Sequence, residues 1–450
     1  MKELSYDALI IGFGKGGKTL AAKLAQAGKK VALAEMDSQM YGGTCINVGC
    51  IPSKSLIVSA AGAPTDAEKL AEYYRGAIEE KRRVTSMLRK KNFDKLNGNP
   101  NITVINGKAR FVSPTQAEIV CQEETYLVRA KQFFINTGST PRIPSIEGID
   151  STDGVYASAG LMELETLPKH LVIIGGGYIG LEFASMFASF GSQVTVVQDS
   201  EIFLPREDAD IAAEIRTELE GQGVTFCLGE KPIRITSGPT VVVQEETRVR
   251  NIYGDAVLIA TGRVPNTAGL NCAAAGIALT PRGAIQVDEL LRTTAPNIWA
   301  MGDVAGGLQH TYVSLDDSRI VWGQISGEKS HSTSERSNVP YSVFLKTPYS
   351  RVGLNEREAL AAGYRVKIAK LPAAAIPKAQ VLQATQGVLK AVVDEPSGKI
   401  LGAMLICAES FEMINVVKLA MDCGAPYTVL RDQIYTHPTM TEALNDLFSV

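Results

Sequence analysis

Cys45 and Cys50 stand five positions apart in GGTCINVGCIPSK, Gly42 to Lys54, and are two of only seven cysteines in 450 residues. A close thiol pair either binds a metal or cycles between dithiol and disulfide. Tetrahedral metal binding needs further ligands. No second cysteine or histidine pair lies nearby, so redox cycling is expected and no metal site is assigned. The other cysteines are too scattered to form a disulfide framework. Residues five apart do not share a helix face at ideal pitch, so the backbone between the two sulfurs must be distorted for them to bond. Gly49 and Pro52 suit that distortion. A leaving group also needs an acid, and the chain has four histidines. His170 follows Leu167-Pro168 at a strand entrance and reads as surface. His331 falls in a polar segment. His310 follows GGLQ and is placed to line a pocket. His437 stands in IYTHPTMTEALNDL, where Pro438 is expected to start a helix that turns Glu442 back onto the imidazole.

The elements that must carry these groups are legible on either side. In YDALIIGFGKGGKTLAAKLAQAGKKVALAE a buried strand, Ala8–Ile11, runs into Gly12, Gly14 and Gly17, then a helix, then a second strand, Val31–Ala34, ending at Glu35. This is a βαβ dinucleotide fingerprint: the glycines permit close backbone approach, the helix N-terminus faces a pyrophosphate, and Glu35 meets a ribose hydroxyl. LVIIGGGYIGLEFASMFASFGSQVTVVQ repeats the plan with Gly175, Gly177 and Gly180. Each half closes on a Thr-Gly turn after an apolar strand, in FFINTGSTP and VLIATGRVP. The first half, Gly12 to Gly138, is longer than the second, Gly175 to Gly262, and the excess is expected to begin at GGTCINVGC. Two fingerprints imply two dinucleotides, and FAD with NADH or NADPH is the pair that can pass electrons to a dithiol. Gln198 ends the strand where an acid favours NAD and a nearby arginine NADP; it decides neither, and Arg206 is close in sequence. In NIWAMGDVAGG a strand ends at Met301-Gly302-Asp303, with glycines that allow close approach to a ligand; alone, Asp303 would read as a turn former.

The length exceeds one core, so two or three domains are expected. A net charge of −3 argues against nucleic acid or an anionic membrane as partner. The apolar run in MKELSYDALIIGFG reads as a buried strand, and no run approaches the ~20 residues of a membrane span, so a cytoplasmic enzyme is expected. Residues 327–338, GEKSHSTSERSN, read as a flexible polar linker, and 339–450 as an α+β domain with a hairpin around Pro396-Ser397-Gly398. The fold class is α/β. A dinucleotide domain takes 1–148 and 269–337, a second takes 149–268, and a C-terminal interface domain takes 338–450.

GGTCINVGCIPSK, GGGYIGLE, ATGRVPN, MGDV and HPTMTE, in this order and spacing, resemble the flavoprotein disulfide reductases, the family of glutathione reductase, dihydrolipoyl dehydrogenase and mercuric reductase. The resemblance covers nearly the whole chain. It implies that Cys45 is the interchange thiol nearer substrate and Cys50 the thiol against the flavin. It also implies that Lys54 and Glu182 pair beside the flavin, and that Tyr178 covers it until nicotinamide arrives. His437 and Glu442 would form a proton-donating dyad that enters the site of the other subunit, hence a homodimer. By the same resemblance FAD meets Gly12, Gly14, Gly17, Glu35, Gly43, Thr44, Lys54, Ala109, Thr137, Gly138, Arg263 and Asp303. The nicotinamide nucleotide meets Gly175, Gly177, Tyr178, Gly180, Glu182, Gln198 and Gly262. IIGFGKGGKTLAAKLA, FLPRED, GGLQHTYVSLDDSRIV and VPYSVFLKTPYSRVGL look most like the bacterial reactive-chlorine-resistance branch. That branch implies reduction of hypothiocyanous acid, and copper(II) reduction has also been attributed to it. Unlike high-molecular-weight thioredoxin reductases and mercuric reductases, the chain shows no second cysteine pair at LNDLFSV, so a small substrate is expected to reach Cys45 directly. The alternatives are dihydrolipoyl dehydrogenase or another small-disulfide reductase, a copper(II) or mercury(II) reductase, and a slow redox-sensing flavoprotein.

Overall fold

In the computed structural model, which describes residues 1–328 and 331–450, the first fingerprint is a strand, Lys2–Ile11, a glycine turn, a helix, Lys15–Gln26, and a strand, Val31–Glu35. Leu9, Ile10, Leu33 and Ala32 are buried from both faces, as central parallel strands require. Gly12 takes φ +100°, and a Cβ there would lie 2.4 Å from the Asn136 carbonyl oxygen, so only glycine turns the chain at this point. The strand starts at Lys2, earlier than its apolar run, because residues 2–6 pair with Tyr126–Ala130 far along the chain.

The chain folds into two compact units. The first holds Met1–Ser55, Gly76–Arg142 and Gly262–Arg336. Its main sheet runs Ile102–Asn106, Val31–Glu35, Lys2–Ile11, Thr125–Ile135, Gln116–Val120, Lys108–Ser113, with Ile298–Ala300 alongside Thr125–Ile135. Ile298–Ala300 delivers Met301-Gly302-Asp303 to the end of that sheet. Arg263–Pro265 pairs antiparallel with Ser139–Pro141, so the two Thr-Gly closures are joined in one ladder. Between Val31–Glu35 and Ile102–Asn106 lie the helices Thr44–Asn47, Cys50–Ala60 and Ala67–Asn97, the excess length of the first half.

The second unit holds Leu56–Arg75, Ile143–Thr261 and Ser337–Val450. The second fingerprint is the strand His170–Ile174, the helix Tyr178–Ser189 and the strand Gln193–Gln198, inside a parallel sheet completed by Val224–Leu228, Ala256–Ile259 and Val155–Ala157. The C-terminal part is an antiparallel sheet ordered Tyr341–Val343, Tyr349–Gly353, Ile400–Ile406, Val388–Asp394, Val366–Pro372, with the hairpin at Pro396–Gly398. Helix Ser410–Asp422 packs its Met413, Ile414 and Val417 into the core of this sheet.

The polar segment is tied down where it is described, contrary to the flexible linker expected; 329 and 330 of that reading lie outside the described residues. The His331 ring lies 3.1 Å from Asp316, and Arg336 bonds Asp316 at 2.9 Å and Asp317 at 2.5 Å. Ser332 and Glu335 cap each other across a short turn. Polar side chains read as solvated in sequence; here they find partners on the helix Thr311–Ser326. Asp317 of that helix also accepts from Gly302 N–H at 2.7 Å, which fixes the segment carrying Asp303. Among the described residues, no helix is long and apolar enough to cross a membrane.

Candidate active site

The thiol pair sits on two helices, not one. Helix Thr44–Asn47 ends at Val48, and Cys50 opens the next helix, Cys50–Ala60. Gly49 makes the break: a Cβ there would lie 2.9 Å from the Thr44 carbonyl oxygen and 3.2 Å from Cys45 Cα. Removing that atom lets the second helix close on the first. Cys45 and Cys50 stand as two thiols, and their side chains are hydrogen-bonded to each other. Cys45 is held well below the usual thiol range, at about 6, chiefly by the bond from Cys50, then by the Thr311 side chain and the Lys18 charge. Lys18 reaches Asn92 Oδ1 at 2.6 Å and the Gly42 carbonyl at 3.4 Å. Burial lowers its own pKa to about 8. The positive charge of Arg263 is also felt by Cys50. A Cys45 thiolate near neutral pH has a direct consequence. Alkylation of the reduced protein by iodoacetamide should be on its plateau at pH 7.5 and half-maximal near about pH 6, where a free cysteine of pKa ~8.5 has barely begun to react. Below that midpoint the thiolate is protonated and the rate falls about tenfold per pH unit. A midpoint above pH 8, read from the pH dependence of peptide-mapped alkylation, would remove this reading.

The first unit offers a cradle of the kind FAD needs. The Glu35 carboxylate is held at its strand end by the N–H groups of Phe13 at 2.9 Å and Asp37 at 3.2 Å, beside the helix Lys15–Gln26. That helix starts at Gly14, which has no side chain to cap it; the N–H groups of Gly16 and Gly17 in its first turn donate to Ser314 Oγ at 3.1 Å and Asn136 Oδ1 at 2.8 Å, and its N-terminal dipole favours an anion. Gly14 and Gly17 admit Asn136: a Cβ on Gly14 would lie 2.4 Å from Asn136 Oδ1, which accepts from Gly17 N–H at 2.8 Å. Gly43, at φ +87°, lies so close that a Cβ would be 2.8 Å from Gly14 Cα, so the cysteine segment starts directly on the fingerprint turn. A Cβ at Gly138 would meet only the Thr44 hydroxyl, 3.9 Å away, which leaves open space between the two. Thr137 bonds the Asn266 carbonyl at 2.7 Å. Ser139 donates to Asp303 at 2.6 Å and accepts from Arg263 at 2.8 Å. Ala109 is buried with its side chain in the sheet core, so its backbone is what it presents. His310 stacks on Tyr312 with centroids 5.0 Å apart, and burial lowers its pKa. Lys54 stands in the first turns of the helix Cys50–Ala60. A helix N-terminus reached through closely packed glycines, a ribose-type carboxylate and the open space at Gly138 together fit FAD.

The second unit repeats this. The helix Tyr178–Ser189 starts at Gly177 without a side-chain cap. Gly175, at φ +115°, and Gly180 pack against backbone, with Cβ approaches of 2.5 and 2.1 Å, whereas Gly177 faces open space, as does Gly262, the first residue of the last stretch of the first unit. Glu182 accepts from Phe344 N–H at 2.9 Å. Gln198 is spent on its own loop, donating to Ser200 and Ile202 carbonyls at 2.8 and 3.0 Å. The Arg206 side chain is exposed. The His437 Nδ1 lies 2.8 Å from Glu442 Oε2, and the imidazole is 70% exposed. The predicted helix start at Pro438 is not formed; the helix begins at Ala443. The contact is instead closed by a turn, in which Thr439 N–H donates to Glu442 at 3.1 Å and its hydroxyl accepts from Glu442 N–H at 3.2 Å. The His437 bond holds the Glu442 carboxyl below its usual range.

Residues 6–318 match the family model described as pyridine nucleotide-disulphide oxidoreductase, and residues 339–448 match that family's dimerisation domain. The chain is a pyridine nucleotide-disulfide oxidoreductase. It is 52% identical, over 99% of both chains, to the probable pyridine nucleotide-disulfide oxidoreductase RclA of Escherichia coli K12. It is 32% identical to dihydrolipoyl dehydrogenase of Chlamydia muridarum, over 97% of this chain and 95% of that one. A solved structure described as the Cu(II) complex of HOCl-induced flavoprotein disulfide reductase RclA from E. coli matches with a TM-score of 0.95, at 52% identity and 99% coverage of both chains. As a pyridine nucleotide-disulfide oxidoreductase of the RclA type, the chain is an NAD(P)H-dependent flavoprotein enzyme, and the family implies FAD and a pyridine nucleotide. Its fold is the mixed α/β fold of that relative. Within the oxidoreductase's first unit the structure brings together Cys45, Cys50, Gly43 and Thr44, and separately Arg263 and Asp303 through Ser139. It also brings in four residues that motif reading passed over: Lys18, Asn136, Ser139 and Thr311. Asn136 sits in FFINTG next to the Thr-Gly turn and was within reach of a closer local reading. Thr311 and Lys18 carried no signal, because only folding sets them beside Cys45.

Proposed function

We propose that this oxidoreductase uses NAD(P)H to reduce hypothiocyanous acid to thiocyanate and water, in cytoplasmic defence against oxidants. What supports the reading above all is the Cys45 thiol, ionised near neutral pH and only half-buried, in a chain so similar over its full length to an HOCl-induced reductase. FAD, when bound, relays the electron pair of the nicotinamide hydride to the sulfur pair. The Cys45 thiolate attacks the sulfur of hypothiocyanous acid, forming an S–S bond and breaking the S–O bond. Hydroxide leaves as water with a proton from His437. Cys50 then attacks Cys45 sulfur, the Cys45–Cys50 disulfide forms, and thiocyanate leaves with the electron pair of the broken bond. The oxidant is thus reduced by two electrons taken from the two thiols.

In this reading Cys45 meets substrate, with Lys18 and Thr311 favouring its thiolate. Cys50 would face the flavin, which Arg263 and Asp303 would help to hold. By the family resemblance Lys54 and Glu182 would serve the flavin and Tyr178 would shield it, and the functional domains would be 1–148 with 269–337, 149–268 and 338–450. The dimerisation domain supports a homodimer in which His437 and Glu442 serve the partner's site; the exposure of His437 in the single chain is compatible with that. A second reading, reduction of Cu(II), has its own support, since the solved E. coli relative is described as a Cu(II) complex. Steady-state consumption of NADH and NADPH with hypothiocyanous acid, glutathione disulfide, lipoamide, Cu(II) and Hg(II) side by side is the deciding test. Preference for either metal ion or for lipoamide overturns the proposal.

A further inference from the structure

Two motifs that mark this chain's branch, FLPRED and VPYSVFLKTPYSRVGL, have no role in the cycle above, yet in the second unit they meet. Glu207 of the first has a fully buried side chain, at 0% exposure. One carboxylate oxygen accepts from the Tyr341 hydroxyl at 2.5 Å and from the Tyr178 hydroxyl. The other accepts from Tyr349 and, at 3.2 Å, from Arg351. The Tyr178 and Tyr341 hydroxyls lie 3.1 Å apart, and their rings are in contact with centroids at 5.4 Å. Arg351 is braced in turn by Glu358 and by the Arg206 carbonyl at 3.1 Å. Burial and the nearby carboxylate push the Tyr178 hydroxyl far up, so it stays a donor. Tyr178 is the first residue of the helix that follows the second fingerprint, where the pyrophosphate of a nicotinamide nucleotide docks.

We propose that Glu207 is a positioning residue: with Tyr341 it latches Tyr178 in the position that the nicotinamide end of NAD(P)H has to displace. This rests on the reading of Tyr178 as the ring in the nucleotide's path. Hydrogen bonds to an ionised acceptor are the stronger kind, so the latch opposes opening. Opening it does not strand a buried charge, because Glu207 keeps Tyr341, Tyr349 and Arg351 when Tyr178 leaves. A buried carboxylate with three other donors is therefore suited to hold and release one ring repeatedly. The latch costs nucleotide affinity: binding draws on the open fraction only, so the apparent Kd is raised by the inverse of that fraction.

The test titrates the FAD-loaded protein with 1,4,5,6-tetrahydro-NADH and its phosphorylated counterpart, which keep the shape of the reduced nucleotide and cannot donate hydride. Tyr178→Phe keeps the ring and loses the donor; its Kd is expected to fall ~10-fold, about the worth of one such bond. Glu207→Gln and Tyr341→Phe should tighten binding in the same direction, by ~3-fold or more for the latter. Tyr178→Ala should tighten it as well. Melting temperature is followed for each variant, because a role in stability alone would lower it and leave Kd unchanged. If Tyr178→Ala tightens binding and Tyr178→Phe does not, the ring lies in the path without a latch, and the proposal fails. If neither changes Kd, the role given to Tyr178 falls with it. Turnover of hypothiocyanous acid by the unaltered enzyme judges the functional reading separately.

Discussion

Replacing Cys45 by serine should lower NAD(P)H-dependent turnover of hypothiocyanous acid by at least ~10⁴-fold, the scale on which removal of an attacking nucleophile is felt. The wild-type sulfur attacks as a thiolate because Cys50, Thr311 and Lys18 hold its pKa at about 6. A serine hydroxyl in the same place stays protonated at any working pH, and these neighbours cannot bring it within range. Cys50→Ser should also stop steady turnover, for a different reason. The prereduced variant should consume one equivalent of oxidant per chain and then stall, with thiocyanate held on Cys45 and visible as added mass. The two variants should also differ in colour. With FAD bound, Cys45→Ser leaves a thiolate at Cys50 next to the flavin and should absorb beyond the flavin band without any reductant, whereas Cys50→Ser should not. The reverse pattern of stall and colour would exchange the roles assigned to the two sulfurs.

Turnover of hypothiocyanous acid should exceed that of glutathione disulfide or lipoamide by ~100-fold or more in kcat/KM, a transition-state difference of about 2.7 kcal/mol. Hypothiocyanous acid is small and uncharged with an electrophilic sulfur, so an ionised, half-exposed Cys45 can attack it without a docking surface. An alkyl disulfide must be seated first, and it expels an alkyl thiolate that needs a proton. Water and thiocyanate leave more easily. His437→Ala should for that reason slow hypothiocyanous acid less than it slows either disulfide, and the ratio of the two effects is as informative as the rates. Comparable or faster turnover of lipoamide would move the chain to the dihydrolipoyl dehydrogenase side of the family, to which it is also 32% identical.

What could be read from the sequence alone was whatever a few neighbouring residues encode. The two glycine fingerprints were legible, because a strand, a turn needing positive φ at Gly12 and Gly175, and a helix are specified within some thirty residues. The break between the thiols was legible too, since helical pitch forbids Cys45 and Cys50 from sharing a face and Gly49 is the residue that can yield. So was the pairing of His437 with Glu442, although a turn closed by Thr439 makes it and not the helix expected at Pro438. The tertiary structure alone decided the rest. Residues 331–336 look solvated in sequence and are held by Asp316 and Asp317 because a helix delivers those acids to them. Thr311 and Lys18 reach Cys45 from helices on either side in the chain. Glu207 collects Tyr178, Tyr341, Tyr349 and Arg351 across more than 170 residues of chain. Side-chain contacts of that range depend on sheet order and register. A buried carboxylate satisfied by four donors is specified by no local pattern, only by the fold that brings those donors to one point.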